Sequence, residues 1–95
     1  MITNKQRALL RGMANKLEPI LLVGKDGIND NLIVQADEAL TARELIKCSV
    51  LQNCPLTARE ASDEICERTG AYGIQCIGRR FVLYRRNDEK PQIQI

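Results

Sequence analysis

Residues Leu21 to Asp30 read LLVGKDGIND, and the change of character inside those ten residues sets the fold. An apolar run, Ile20-Leu21-Leu22-Val23, stops at Gly24; a charged pair follows; a second glycine, Gly27, precedes Asn29 and Asp30. This is the signature of a strand that ends, a short loop, and a helix that begins. Pro19 to Val23 is apolar on both faces, which suits a strand in the interior of a sheet covered by helices. Asn29 or Asp30 can cap the helix, and Leu32, Ile33, Ala36, Ala39 and Leu40 then form its buried stripe. A second strand, Leu45 to Leu51, follows, with Ile46, Cys48 and Val50 on one face and Lys47 and Ser49 on the other.

Working outward, Thr3 with Gln6 forms a capping box that starts a first helix. Leu9, Leu10, Met13 and Leu17 share its inner face, Arg7 and Arg11 lie toward the opposite one, and Lys5 and Lys16 flank it. Glu18-Pro19 is its expected end, because a residue before proline avoids the α region. Thr57 with Glu60 makes another capping box, opening a third helix that runs to Thr69 and stops at Gly70. It buries Ala58, Ala61 and Ile65 and shows water an acidic face of Glu60, Asp63, Glu64 and Glu67. Ile74–Ile77 and Phe81–Tyr84 are strands around Gly78-Arg79, where glycine first in a two-residue turn fits type II′. Phe81 and Tyr84 fall on opposite faces, so neither a stacking platform nor an RNA-recognition-motif sheet is indicated. The expected architecture is a compact two-layer α/β domain of order α-β-α-β-α-β-β, with three helices on a four-stranded mixed sheet. Residues 1–87 make up the domain, and the polar stretch 88–95 reads as a flexible tail.

The 95 residues bound one domain, and 44% hydrophobic content supplies a modest core. No apolar run approaches the roughly 20 residues of a membrane helix, and the N-terminus lacks a secretory signal core, so a cytoplasmic protein is expected. Cys48, Cys54, Cys66 and Cys76 offer no close pair of the C-x2-C kind that structural zinc requires, and there is no histidine. The thiols read as small hydrophobes; no metal, cofactor or small-molecule substrate is indicated. Without histidine the usual neutral-pH proton shuttle is missing, and Gly24-Lys25-Asp26-Gly27 lacks the P-loop pattern. An enzyme is not expected.

Charge is informative by its placement, since the net value is only +2. Up to Lys16 the chain carries Lys5, Arg7, Arg11 and Lys16 with no acid, and Gly78–Arg86 carries Arg79, Arg80, Arg85 and Arg86 with no acid. The other 70 residues hold six bases and twelve acids. Two basic segments on an acidic body are the footprint expected for phosphate backbones. A strand ending in glycine before a helix N-terminus exposes unpartnered N–H groups that favour anions, and the GxxG loop of KH domains grips an RNA backbone in this way. A second match, Gly70-Ala71-Tyr72-Gly73, is better explained as a helix stop and a strand entry. The same basic helix also suits an acidic protein partner, which leaves a protein-interaction module as the alternative.

Several stretches together carry a family resemblance. They are Lys5-Gln6-Arg7 and Leu10-Arg11-Gly12, Pro19 with the strand ending in LVGKDG, Glu44-Leu45-Ile46-Lys47, Thr69-Gly70, and Ile77-Gly78-Arg79 with Val82-Leu83-Tyr84-Arg85. In order and spacing, over about residues 1 to 87, the chain resembles the bacterial YhbY-type CRM domain (chloroplast RNA splicing and ribosome maturation). The resemblance implies a fold similar to the C-terminal domain of translation initiation factor 3. It also implies a stand-alone RNA-binding module on ribosomal RNA of large-subunit precursors; a monomer is expected, although nothing in the sequence decides whether the chain dimerises. By position it places Gly24, Lys25, Asp26 and Gly27 in the RNA-binding GxxG loop and Lys5, Arg7 and Arg11 on a cationic surface. Lys16, Arg79 and Arg80 complete the candidate site. Asp26 puts a negative charge where phosphate should approach; as a turn residue or a cap for the next helix it has a structural reading as well.

Overall fold

The computed structural model describes residues 2–95. Helix α1 spans Asn4–Ala14, strand β1 Pro19–Val23, α2 Asp30–Arg43, β2 Leu45–Val50, α3 Ala58–Thr69, β3 Tyr72–Ile77 and β4 Arg80–Tyr84. This is the α-β-α-β-α-β-β order read from the sequence. Both capping boxes form: Thr3 with Gln6 and Thr57 with Glu60 each exchange two side-chain-to-backbone bonds of 2.9 and 3.1 Å. Asn29, not Asp30, caps α2 by accepting from the Leu32 N–H at 2.8 Å. Gly70 ends α3 in the left-handed conformation at φ 78.

The strands pair in the order β1-β2-β4-β3, parallel between β1 and β2 and antiparallel elsewhere. β1 is therefore an edge strand, where an interior one was expected. Its apolar run misleads because only one face is covered: Leu21 and Val23 are buried, while Ile20 and Leu22 stay 42% and 53% exposed. The sheet plus α2 and α3 encloses the larger core, with Val23, Leu40, Ile46, Ile65, Phe81 and Leu83 at its centre. α1 rides on the other face of the sheet, over Leu45, Ile74, Val82 and Tyr84. Alternation along β4 explains how one strand serves both clusters, since Phe81 and Leu83 point one way and Val82 and Tyr84 the other.

Two expectations for α1 change. The helix stops at Ala14, four residues before Glu18, and Asn15, Lys16 and Leu17 close the end by tighter i→i−3 bonds. Asparagine is a weak helix former, and Leu17 packs against the α1-side cluster only if the chain turns there. Only Leu10 and Ala14 are buried, whereas Leu9 and Met13 are 51% and 43% exposed. The helix rests on the sheet along one narrow line, so the outer members of its apolar stripe miss it.

The stretch expected to be a flexible tail lies back along the domain. Glu44, fully buried and at φ 64, accepts the main-chain N–H groups of Asn87, Gln92 and Ile93 at 2.6 to 2.7 Å. Ile93 packs on the α1-side cluster. Burial alone would raise the Glu44 pKa, but those three N–H donors and the charge of Arg86 outweigh it, so the carboxylate is held below its ordinary value.

Candidate nucleic-acid interface

Gly24-Lys25-Asp26-Gly27 is a hydrogen-bonded β-turn, closed by the Gly27 N–H donating to the Gly24 carbonyl at 3.0 Å. Gly27 holds φ 63, and glycine is common at the last position of such a turn. Among the described residues the N–H groups of Lys25 and Asp26 have no backbone or side-chain acceptor. They project at the turn tip with both side chains exposed. The cap of the next helix is Asn29, so Asp26 holds a turn position and caps nothing. Asp30 in the first turn of α2 pairs with Arg68 at 2.8 Å, which spends part of that helix terminus on a carboxylate.

The sheet register brings a second basic element to this loop. β1 and β2 run parallel with Val23 opposite Val50, and the Leu51 N–H donates to the Val23 carbonyl at 2.8 Å. The Val50 N–H donates to the Arg79 carbonyl, also at 2.8 Å, and Ser49 lies opposite Arg80. The GxxG turn and the Gly78-Arg79 turn thus stand at the same end of the sheet. Gly78 has φ 59 and Arg79 is not in the positive region, as a type II′ turn requires.

The four arginines of the hairpin segment divide by role. Arg85 is locked: its guanidinium donates to Asp37 Oδ1 at 2.6 Å, the Thr69 carbonyl at 2.9 Å, the Asp37 carbonyl at 3.0 Å and Thr41 Oγ1 at 2.9 Å. Arg86 sits 3.5 Å from Asp88. Arg79 and Arg80 are exposed and form no ion pair among the described residues.

The α1 cations divide too. The Arg7 guanidinium donates to the Gly73 carbonyl and reaches the Ile74 carbonyl at 3.5 Å, fastening α1 to the edge strand β3. Lys5, Arg11 and Lys16 are exposed. Lys5 stands at the start of the helix, near the end of the sheet that holds Tyr72 and Tyr84, because Ile2 and Gln6 border those tyrosines. The other end of α1 reaches the loop side: Asn15 borders a groove with Lys47, Gln75, Ile77, Arg80 and Val82. Lys16 follows Asn15 at this end, while Lys5 lies at the opposite end of the helix. Lys47, Gln75, Ile77 and Leu22 join this surface although the sequence reading placed none of them in the candidate site. Their one signal was alternation, polar or exposed residues facing away from the core on strands otherwise buried.

The aromatic side chains do not contribute a stacking platform here, since Phe81 and Tyr84 are 1% and 3% exposed and Tyr72 lies at the far end. The thiols are free; Cys48 is buried, and burial pushes it up to about 12. No three metal-binding side chains converge among the described residues, and no helix there is long and apolar enough to cross a membrane.

Residues 2–85 match the family described as the CRS1 / YhbY (CRM) domain. The chain belongs to the CRS1/YhbY (CRM) domain family. The chain is 45% identical over 95 residues to the Bacillus subtilis protein named "Probable RNA-binding protein YqeI", spanning 100% of this chain and 99% of that one. It is 32% identical over 88 residues to a Haemophilus influenzae protein named "RNA-binding protein", spanning 93% and 89% of the two chains. Among solved structures it is similar to SAV1595 of Staphylococcus aureus, with a TM-score of 0.77 and 43% identity over 90% of each chain. The three-helix, four-strand arrangement is thus that of the family.

Proposed function

We propose that this CRM domain is a non-catalytic, cytoplasmic RNA-binding protein that acts as a monomer on ribosomal RNA of large-subunit precursors. The observation that carries the reading is the juxtaposition of the GxxG turn with Arg79 and Arg80, tied through the Val50 N–H to Arg79 carbonyl bond. The turn offers two free N–H groups to a phosphate, Lys25 adds a cation, and the two arginines extend the positive surface across the sheet end. Arg11 on α1 and Lys16 just past its end add further exposed cations. The names of the relatives, RNA-binding proteins of bacteria, agree with this use. Affinity of this kind resides in phosphate contacts and selects RNA by shape more than by sequence.

Titrating the chain with single-stranded ribosomal RNA fragments at several salt concentrations tests it. Neutralising about four phosphates gives a log–log slope near −3, at roughly −0.7 per contact. A flat line rejects the electrostatic surface. Co-sedimentation with large-subunit precursors that survives full RNA digestion would instead favour an acidic protein partner on the same helix.

A further inference from the structure

α1 leaves part of the outer sheet face bare, and a row of side chains crosses it from the GxxG turn to the opposite edge. Strand register places Leu22 beside Ser49, Ser49 beside Arg80 and Arg80 beside Ile77. Leu22 also borders the hollow formed by Gly24, Lys25, Asp26 and Gly27. Three strand spacings make the row about 14 Å long, which a few nucleotides of single strand can cover. At its far end, below Arg80 and Ile77, lies a groove of about 200 Å³ lined by Asn15, Lys47, Gln75, Ile77, Arg80 and Val82.

We propose that this groove seats one unstacked nucleobase of an RNA strand whose backbone is held at the GxxG turn, an inference that rests on the RNA reading above. Its size is below the roughly 300 Å³ at which drug-sized ligand pockets begin and suits a single planar ring. Its lining is mixed in the way a base requires. Val82 provides a buried apolar floor, and Ile77, 65% exposed, an apolar wall. The side-chain amides of Asn15 and Gln75 offer both donors and acceptors, which match the edge of a base; a phosphate can only accept, so half of that capacity would be wasted on it. Arg80 supplies a guanidinium plane on which a base can stack in place of an aromatic ring. Gln75 and Lys47 are half-buried, and neither side chain has a hydrogen-bond partner among the described residues. Arg7, by contrast, already donates its guanidinium to the β3 carbonyls, and the hollow it borders also carries the acidic Asp63.

The probe is a pair of single-stranded oligoribonucleotides of equal length and charge, one normal and one abasic throughout. The wild-type chain binds the normal strand about tenfold more tightly, within the range for seating one base. The Gln75→Ala/Ile77→Ala pair, both on an edge strand and outside the core, melts like wild type and brings the two affinities together. Lys25→Ala weakens both strands by the same factor. Equal binding of the two strands by the wild-type chain overturns the base groove while leaving the phosphate reading intact. A preference that persists in the double variant overturns its assignment to these residues. Failure to bind either strand overturns both readings.

Discussion

The main-chain N–H of Val50 donates to the carbonyl of Arg79 at 2.8 Å, joining the last residue of a central strand to the tip of the closing hairpin. Through that bond, elements nearly thirty residues apart in sequence present their backbones and cations on one end of the sheet. The geometry separates residues that build this end from residues that use it, and the separation is testable at the two glycines of the turn.

Gly27 holds φ 63, a conformation that costs an alanine about 1 to 2 kcal/mol. Gly24 has no such φ, and a Cβ there meets only Leu51 Cδ1 at 3.7 Å, an ordinary contact. Gly27→Ala therefore lowers the melting temperature, whereas Gly24→Ala melts within a degree or two of wild type. If a phosphate approaches the backbone at Gly24, the added methyl weakens RNA binding several-fold in a fully folded protein. Undiminished affinity of Gly24→Ala in a filter-binding titration would show that nothing approaches the backbone there.

Local chemistry was legible in the sequence wherever a few neighbouring residues decide it. Thr3 with Gln6, Thr57 with Glu60, Gly70 and Gly78 all do in the structure what their spacing implies. What failed depended on distant partners. Leu22 looks like a core residue until the strand order leaves β1 on the edge, and Leu9 looks buried until α1 docks along Leu10 and Ala14. Arg7 and Arg85 count as free cations in a charge tally, yet carbonyls and carboxylates remote in sequence claim them. The placement of Arg79 and the GxxG turn at one end of the sheet was equally invisible, because strand register is not written in either segment.

Glu44 illustrates the same limit and carries its own test. Its carboxylate gathers N–H groups from residues more than forty positions away, so deleting residues 88–95 strips two donors from a buried charge. Losing hydrogen bonds to such a group costs about 1 to 3 kcal/mol, measurable by urea denaturation; a tail free in solution would cost nothing. Because the folded carboxylate is held below 4.5, its contribution is complete above that pH and is lost as acid protonates it. Glu44→Gln should therefore flatten the acid limb of the stability profile below pH 4.5 and lower the plateau above it.

Cys48 makes the opposite prediction at alkaline pH. Burial in the core, with the Cys66 sulfur nearby adding to the effect, raises the folded thiol from 9.0 to about 12. The unfolded chain then loses its proton first, and stability falls as pH rises from 9 toward 12. The limiting slope is about 1.4 kcal/mol per pH unit. Cys48→Ala lowers stability at neutral pH through the space it leaves but removes this share of the slope, and denaturant midpoints across that range compare the two. An unchanged slope would mean that the thiolate is tolerated in the core.

Arg7 and the pair Arg11 and Lys16 separate the fastening role of α1 from its cationic surface. Arg7→Gln loses the guanidinium contacts to the Gly73 and Ile74 carbonyls that hold α1 on the edge strand, and destabilises the domain by about 1 kcal/mol. At temperatures where it is fully folded, its RNA affinity stays within about twofold of wild type. The exposed pair behaves in reverse. Arg11→Ala with Lys16→Ala leaves melting unchanged, since neither side chain has an ion-pair partner among the described residues. It also reduces the salt slope of RNA binding by about 0.7 for each lost phosphate contact. Thermal melts and salt titrations on the same preparations decide the matter. If Arg7→Gln melts normally and yet loses RNA binding, the guanidinium leaves the strand edge for a phosphate, and the RNA surface runs the full length of α1.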